Sequence, residues 1–192
     1  KKALKESNVE AKDIEALVYT GVCRENFEPA TACAVAAQLG ISDDANIYDI
    51  SNACLGVMNG IIDIANRIEL KQIRAGMVVS CETSREIVEI MIERMLKDKT
   101  IDMFSSSLAT LTGGSGAAAV LLTDGSFDNK ETHRLLGGAN QSAPEHHKLC
   151  RWGVSISPIA IGEFVFSPES FPYSSSIGFS TISLEITFVI SR

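Results

Sequence analysis

Short apolar runs alternate with longer helical patterns along the first 122 residues of the chain. Each apolar run is bounded by turn-forming or polar residues and has the length of a β-strand. Four strands are predicted in this way, at residues 16–20, 47–50, 75–81 and 117–122. Because these runs are continuously apolar, we expect a sheet that is covered on both faces. The pattern therefore predicts a layered α/β fold in which the strands pair mostly in parallel.

Helical periodicity fills the segments between these strands. One helix is predicted over residues 31–39, with Pro29 near its start and Gly40 after its end. A charged helix is predicted from about residue 85 to residue 97. A third helical pattern begins at Cys54 and places apolar side chains at positions 57, 58, 61, 62, 65 and 68.

A glycine-rich turn, Thr-Gly-Gly-Ser-Gly at residues 112–116, precedes the fourth predicted strand. Phosphate-binding loops place their glycines before a helix, and the P-loop adds a lysine that is missing here. The turn is therefore interpreted as a place where the backbone approaches its neighbours closely in a packed core.

Composition restricts the class of protein. The chain has 192 residues and is 45% hydrophobic, which suffices for one substantial core or two small ones without any membrane span. A net charge of −7 and scattered basic residues argue against a nucleic-acid partner. Five cysteines without C-x-x-C pairs are typical of reduced thiols, so a soluble cytoplasmic protein is expected. The chain starts at Lys1 within a helical pattern over residues 1–7, which indicates a fragment.

Cys54 is the leading candidate for a reactive residue. It follows the second predicted strand and lies in the first turn of the predicted helix after it. Unpaired backbone N–H groups and the helix dipole favour an anion at such a position, so the cysteine there can be activated as a thiolate, and the N–H groups can stabilise an oxyanion. The alternative interpretation is that Cys54 packs as a small buried hydrophobic residue.

Four segments carry a recognisable pattern: Asp-Ile-Ser-Asn-Ala-Cys-Leu-Gly (49–56), Gly-Gly-Ser-Gly-Ala-Ala-Ala-Val (113–120), Leu-Leu-Gly-Gly (135–138) and Cys-Arg-Trp-Gly (150–153). In this order they resemble the β-ketoacyl-ACP synthase III branch of the thiolase superfamily over residues 3–154. The resemblance implies a thiolase-like layered fold of two similar α/β halves, present here as an N-terminal half (1–128) and a truncated or divergent start of the C-terminal half (129–192). It also implies a homodimer without a permanently bound cofactor. Cys54 would accept an acyl group from a coenzyme A or acyl-carrier-protein thioester.

The segment Cys-Arg-Glu-Asn-Phe-Glu-Pro-Ala-Thr-Ala at residues 23–32 resembles OleA-type acyl-CoA condensing enzymes within this branch. The resemblance implies that Glu28 reaches the cysteine pocket of the partner subunit and removes an α-proton from the second acyl chain. Such a base is needed when no malonyl carboxylate is lost. Decarboxylative elongation with a malonyl-carrier protein remains the alternative reaction, and a solvent-exposed glutamate favoured by the helix dipole is the alternative role for Glu28.

The chain departs from the family in its second half. Synthase III enzymes use a histidine and an asparagine from that half, and no residue here fills either role. The three histidines, His133, His146 and His147, and the last asparagine, Asn140, fall in or just before the start of that half. Adjacent histidines do not chelate one ion easily, so no metal site is expected. A catalytically incomplete thiolase-fold protein with an exposed apolar face is therefore the rival to an acyltransferase.

The tail from residue 155 onward does not resemble the family. It is rich in serine and phenylalanine and has no lysine, histidine or asparagine. Residues 163–166 and 184–190 have the composition of strands.

Overall fold

The computed structural model of the chain describes residues 1–24, 28–127, 133–138, 141–146 and 185–191. The described helices are α1 (Lys2–Ser7), α2 (Thr31–Leu39), α3 (Gly56–Glu69), α4 (Arg85–Lys97) and α5 (Ile101–Leu111). The described strands are β1 (Ala16–Thr20), β2 (Asn46–Ile50), β3 (Ala75–Glu82), β4 (Gly116–Thr123), β5 (His133–Arg134) and β6 (Glu185–Ser191). Single turns of 3-10 helix lie at Ala11–Asp13, Ala53–Leu55 and Pro144–His146.

The six described strands form one mixed sheet in the order β2-β1-β3-β4-β6-β5. β1 pairs in parallel with β2 and with β3, whereas the β3–β4, β4–β6 and β5–β6 pairs are antiparallel. Among the four predicted strands, two of the three pairs are therefore parallel, as expected, but the prediction fails for every pair that includes β4, β5 or β6. Continuous hydrophobicity indicates that both faces of a strand are covered, but it does not indicate whether the strand runs parallel or antiparallel to its neighbours. Strand β4, for example, is buried from residue 120 to residue 123 although both of its pairs are antiparallel.

Most predicted elements are confirmed. The four strands agree to within one or two residues, and helices α2 and α4 have the predicted bounds. Strand β6 contains residues 185–190 of the predicted run at 184–190. Residue 184 and the predicted run at 163–166 lie outside the described residues. Helix α5 was not predicted, because the serines at 105–107 and Thr110 dilute its apolar pattern with residues of low helix propensity.

The hydrophobic core lies on both faces of the sheet, which confirms the layered α/β architecture. On one face, Leu17 and Tyr19 of β1 pack in a cluster with buried residues of α1 and α2. On the other face, Ala16 and Val18 pack in a second cluster with the buried side of α3. Successive side chains of β1 thus alternate between the two clusters, as the pleat of a strand requires.

Helix α3 packs very closely against the centre of the sheet. A Cβ atom at Gly60 would lie 2.8 Å from Cγ1 of Val78 and 3.0 Å from Cγ2 of Thr20. Glycine at this position therefore lets the helix approach β1 and β3.

The glycine-rich turn before β4 has a different surrounding from the one predicted. A Cβ atom at Gly114 or Gly116 would meet no atom within 4 Å, and both residues are exposed. The interpretation of these glycines as sites of close backbone approach is therefore wrong within the described part of the chain. The turn lies at the exposed start of β4, before the strand enters the core.

The chain divides into two compact units. One unit consists of residues 1–85, 114–137 and 180–192 and contains the sheet with α1, α2 and α3. The other consists of residues 86–113 and 138–179 and contains nearly all of α4 and α5. None of the described helices is long and apolar enough to cross a bilayer. The predicted halves 1–128 and 129–192 remain a prediction.

Candidate active site

Cys54 lies between the end of β2 at Ile50 and the start of α3 at Gly56. It is the middle residue of the single 3-10 turn Ala53–Leu55, and its side chain is exposed. The prediction that Cys54 belongs to the first turn of the long helix is thus wrong, because the cysteine lies two residues before α3 begins. The alternative interpretation of Cys54 as a small buried hydrophobic residue is also wrong for the described part of the chain, because the side chain is exposed.

The residue before Cys54 has an unusual backbone conformation. Ala53 has φ of 43°, in the left-handed region that costs a non-glycine residue about 1–2 kcal/mol. Such outliers occur preferentially at functional sites, where surrounding contacts hold them in place. Here the side-chain amide of Asn52 donates a hydrogen bond to Oδ1 of Asn59, which ties the turn to α3.

Two of the backbone N–H groups next to Cys54, which were expected to be unpaired, donate hydrogen bonds within the turn itself. The N–H of Leu55 donates to the carbonyl oxygen of Asn52 at 3.0 Å, and the N–H of Gly56 donates to the carbonyl oxygen of Ala53. These two groups are not free to bind an anion in this conformation. The expectation that backbone N–H groups of this turn stabilise an oxyanion is therefore not met by these two groups, because the 3-10 turn uses them for its own hydrogen bonds.

Glu28 lies in the segment that connects β1 to α2, residues 21–30, which we call the Glu28 segment. Its side chain is exposed, and within the described residues no hydrogen bond or ion pair joins it to Cys54. The two residues nevertheless follow the carboxyl ends of neighbouring parallel strands, since Thr20 of β1 is in register with Ile50 of β2. Both therefore lie at one edge of the sheet, the carboxyl edge, where ligands of open α/β sheets usually bind.

The downstream end of the Glu28 segment is fixed to β2 by Asp49. The carboxylate oxygens of Asp49 accept hydrogen bonds from the backbone N–H groups of Thr31 at 2.8 Å and of Ala32 at 2.9 Å. These N–H groups begin α2 and have no intrahelical acceptor. Asp49, on the strand that leads to Cys54, thus provides the hydrogen-bond acceptors for the first N–H groups of α2.

The upstream end of the Glu28 segment is fixed to β3 by Glu82. The Glu82 carboxylate accepts hydrogen bonds from the N–H of Val22 at 2.7 Å and of Cys23 at 3.2 Å. The hydroxyl of Tyr19 lies 2.8 Å from the carbonyl oxygen of Cys23 and 2.7 Å from that of Cys81, so it can donate to either. The pKa of Tyr19 is raised to about 12, mainly because burial removes the phenol from water and further because Glu82 is negative.

Sequence reasoning missed both anchoring carboxylates. Asp49 interrupts an apolar run, and Glu82 ends one. A charged residue in a partly buried strand needs hydrogen-bond donors, so such an interruption is the signal that could have identified them. Their donors lie 17 to 60 residues away and could not be read from the sequence.

The histidines do not complete the Cys54 site in the described structure. His133 is exposed on β5, and β5 and β2 are the two outermost strands of the sheet. The five strand spacings between β2 and β5 correspond to roughly 24 Å. Side-chain details of His146, and all of His147 and Asn140, lie outside the described residues. No group of three candidate metal ligands occurs among the described residues.

An exposed apolar row begins beside Cys54. Met58 and Ile62 are 51% and 36% exposed, and their spacing places them on one side of α3. Leu55, in the turn just before α3, is 52% exposed and begins the row. Large exposed apolar side chains in a row are typical of a surface that is covered in an assembly.

Relatives of this chain include acyl-CoA:acyl-CoA alkyltransferases and β-ketoacyl-[acyl-carrier-protein] synthases III. It is 61% identical over 155 residues to an acyl-CoA:acyl-CoA alkyltransferase of Shewanella oneidensis, which covers 80% of this chain and 44% of the relative. It is 38% identical over 152 residues to the enzyme of the same name from Xanthomonas campestris, covering 79% and 45%. A β-ketoacyl-[acyl-carrier-protein] synthase III of Clostridium botulinum is 29% identical over 89 residues, covering 46% and 27%.

Solved structures agree with the sequence comparison. OleA of Xanthomonas campestris with bound lauric acid and lauroyl-CoA matches with a TM-score of 0.73 and 36% identity, covering 79% of this chain and 45% of that structure. No protein-family model matches the chain. The chain thus has the thiolase-like fold of OleA and spans less than half the length of the alkyltransferases that it matches.

Proposed function

Since this chain is a homologue of the OleA-type condensing enzymes of the thiolase superfamily, we propose that it carries the acyl-accepting site of a Claisen-condensing acyltransferase. The observation that carries the proposal is the position of Cys54, exposed at the carboxyl edge in a strained turn between β2 and α3. Strained backbone and an exposed thiol at this edge fit a nucleophile better than a packing residue.

In the first half-reaction, the Cys54 thiolate attacks the carbonyl carbon of an acyl thioester. The bond from that carbon to the leaving sulfur breaks, and the free thiol of coenzyme A or of the carrier protein is released with a proton. An acyl-Cys54 thioester remains. The exposed apolar row at Leu55, Met58 and Ile62 starts directly after the nucleophile and suits an acyl chain or a covering protein surface.

In the second half-reaction, we assign Glu28 as the base. Its carboxylate takes an α-proton from a second acyl thioester, and the resulting carbanion attacks the acyl-Cys54 carbonyl carbon. The Cys54 thiolate leaves, and a β-ketoacyl thioester forms. Because Glu28 and Cys54 are exposed and do not contact each other in the described chain, this step is proposed to occur in a homodimer in which Glu28 serves the partner's cysteine.

Solved variants of the Xanthomonas campestris protein support this choice of residue types. They include replacements of a cysteine by serine or alanine and of a glutamate by alanine or glutamine. Replacements of a histidine are also among them. The described part of this chain supplies a cysteine and a glutamate at one edge of the sheet and no histidine there.

Product analysis tests the reaction. The 155 matched residues of this chain are grafted into the Shewanella oneidensis relative in place of its own matched stretch, and the grafted protein is given acyl-CoA alone or with malonyl-carrier protein. We expect the grafted protein to join two acyl-CoA molecules. In Glu28→Gln, the rate of this joining is expected to fall on the order of a hundredfold. Product that forms only when malonyl-carrier protein is supplied would remove Glu28 as the base and support decarboxylative elongation.

The second candidate is a thiolase-fold protein that does not catalyse turnover. This candidate is favoured for the 192 residues alone because they cover less than half the length of the Shewanella oneidensis relative. Removing part of a catalytic unit commonly costs orders of magnitude in rate. We expect the chain by itself to acquire one acyl group on Cys54 without forming a condensed product. Multiple turnover by the purified chain would exclude this candidate.

A further inference from the structure

We propose that Glu82 is a positioning residue for Glu28. Together with Asp49, it holds the two ends of the Glu28 segment against the sheet, so that Glu28 is presented from a fixed base at the carboxyl edge. The inference rests on the proposed function of Glu28 as the α-proton base. Glu82 touches neither substrate in this proposal and acts only through the backbone of Val22 and Cys23.

The upstream anchor is built for a carboxylate. Oε1 of Glu82 accepts the N–H of Val22 at 2.7 Å, and Oε2 accepts the N–H of Cys23 at 3.2 Å. A glutamine has one acceptor oxygen and would turn its NH2 group toward the second N–H, so it can satisfy only one of the two. Bonds to an ionised acceptor are also stronger than neutral ones.

Gly21 leaves the space that this carboxylate occupies. A Cβ atom at Gly21 would overlap Oε1 of Glu82 and would lie 3.2 Å from its Cδ and 3.2 Å from the hydroxyl of Tyr19. An alanine at position 21 therefore displaces the carboxylate from Val22 and Cys23 without removing it from the protein. This gives a second, independent way to release the anchor.

The downstream anchor limits how far Glu28 can move. Glu28 is three residues before Thr31, whose N–H is held by Asp49. Three residues span at most ~11 Å when fully extended. Glu28 must therefore stay within that distance of the start of α2, and the direction in which the segment leaves β1 is set by Glu82.

Fixed ends matter because the proposed base has no support of its own. Within the described residues, the Glu28 side chain is exposed and makes no hydrogen bond or ion pair. A base that abstracts a proton in a neighbouring subunit must be delivered to within hydrogen-bond distance, and a misplacement of about 1 Å can cost on the order of a hundredfold in rate. The anchors at Glu82 and Asp49 supply the constraint that the side chain lacks.

The kinetic test separates positioning from general structural support. In the grafted protein, Glu82→Gln and Gly21→Ala are expected to slow condensation on the order of tenfold or more while the rate of Cys54 acylation stays unchanged. Glu82→Asp keeps both acceptor oxygens and is expected to restore part of the condensation rate. Glu69→Gln, the same change at an exposed residue of α3, serves as the control and is expected to change neither rate.

A double-mutant cycle identifies the residue through which Glu82 acts. Once Glu28 is replaced by glutamine, we expect Glu82→Gln to cause no further loss of condensation, because no base is left to position. Effects that multiply, or an equal loss of acylation and condensation in Glu82→Gln, would overturn the inference. If Glu28→Gln itself leaves condensation intact, the proposed function fails instead.

Hydrogen exchange of the purified 192-residue chain tests the anchor without any reaction. In Glu82→Gln, the amides of Val22 and Cys23 are expected to exchange faster while those of β1 and β3 keep their protection. Unchanged exchange at Val22 and Cys23 would show that Glu82 does not hold the segment. Loss of protection throughout β1 and β3 would show a general structural role and would also contradict the inference.

Discussion

The carboxylate of Asp49 accepts the backbone N–H of Thr31 at 2.8 Å, and this contact links the two elements that carry the candidate catalytic residues. Asp49 lies five residues before Cys54, and Thr31 lies three residues after Glu28. Ala30, at the N-cap position of α2, has no side chain that could accept these N–H groups. The acceptor is therefore supplied from β2, across a sequence separation of 18 residues.

Replacing Asp49 by alanine is expected to destabilise the chain by about 1–3 kcal/mol, because two N–H groups at the start of α2 lose their acceptor. Urea denaturation of the purified chain measures this loss. Asp43→Ala, at an exposed position between α2 and β2, is the control and should leave the midpoint unchanged. Equal midpoints for the two variants would show that the Asp49 contact does not stabilise the fold.

Gly60→Ala is expected to lower the free energy of unfolding by about 1–3 kcal/mol, because the added Cβ overpacks α3 against β1 and β3. Its nearest neighbour would be Cγ1 of Val78 at 2.8 Å. Gly114→Ala is the matched control, since an added Cβ there meets no atom within 4 Å. Denaturation curves that shift equally for both variants would contradict the close packing of α3.

The sequence was sufficient for the elements whose pattern is local. β1 is apolar up to its last residue, Thr20, and is fully buried. Helix α2 is bounded by Pro29 and by Gly40, which has the left-handed conformation typical of a helix end. Strand direction was not predictable, because β4 is as apolar as a parallel strand and yet pairs antiparallel on both sides. The direction depends on connections and not on hydrophobicity.

Within the site, the sequence identified Cys54 and Glu28 as candidates but not how they are held. The position of Cys54 in a 3-10 turn depends on the φ of Ala53, for which an alanine gives no signal. Asp49 and Glu82 accept hydrogen bonds from backbone N–H groups. Every residue except proline has such a group, so the sequence does not indicate which ones a carboxylate binds. Pairing of this kind becomes visible only in three dimensions.

Two tyrosines are expected to titrate late in the folded chain. The pKa of Tyr19 and that of Tyr48 are raised to about 12, in each case mainly by burial, and for Tyr48 also by its hydrogen bond to Asp63. The folded state therefore retains protons that the unfolded state loses near pH ~10. Their contribution to stability is complete below pH ~10 and is lost as the pH rises through about 12.

Ultraviolet absorbance of tyrosinate, recorded for native and urea-unfolded protein, measures this difference. Tyr48→Phe should remove one of the late transitions and leave that of Tyr19. Native tyrosines that all titrate with the unfolded chain would contradict the burial of both phenols.

The exposed apolar row on α3 is expected to make the purified chain associate. Leu55 and Met58 each expose about half of their surface, and contacts between such rows bury apolar area. Met58→Gln should reduce association in light scattering. Leu70→Gln, at a residue that is 68% exposed beyond the end of α3, should reduce it less. A chain that stays monomeric at high concentration would contradict this expectation.

The identity of Cys54 as the acyl-accepting nucleophile is tested most directly by intact mass spectrometry after incubation with a long-chain acyl-CoA. The wild-type chain and Cys33→Ala, which removes another exposed cysteine, are expected to gain the mass of one acyl group. Cys54→Ala is expected to gain none. Adducts of equal yield on wild type and Cys54→Ala would show that another residue is acylated, and the proposed function of this chain would then be wrong.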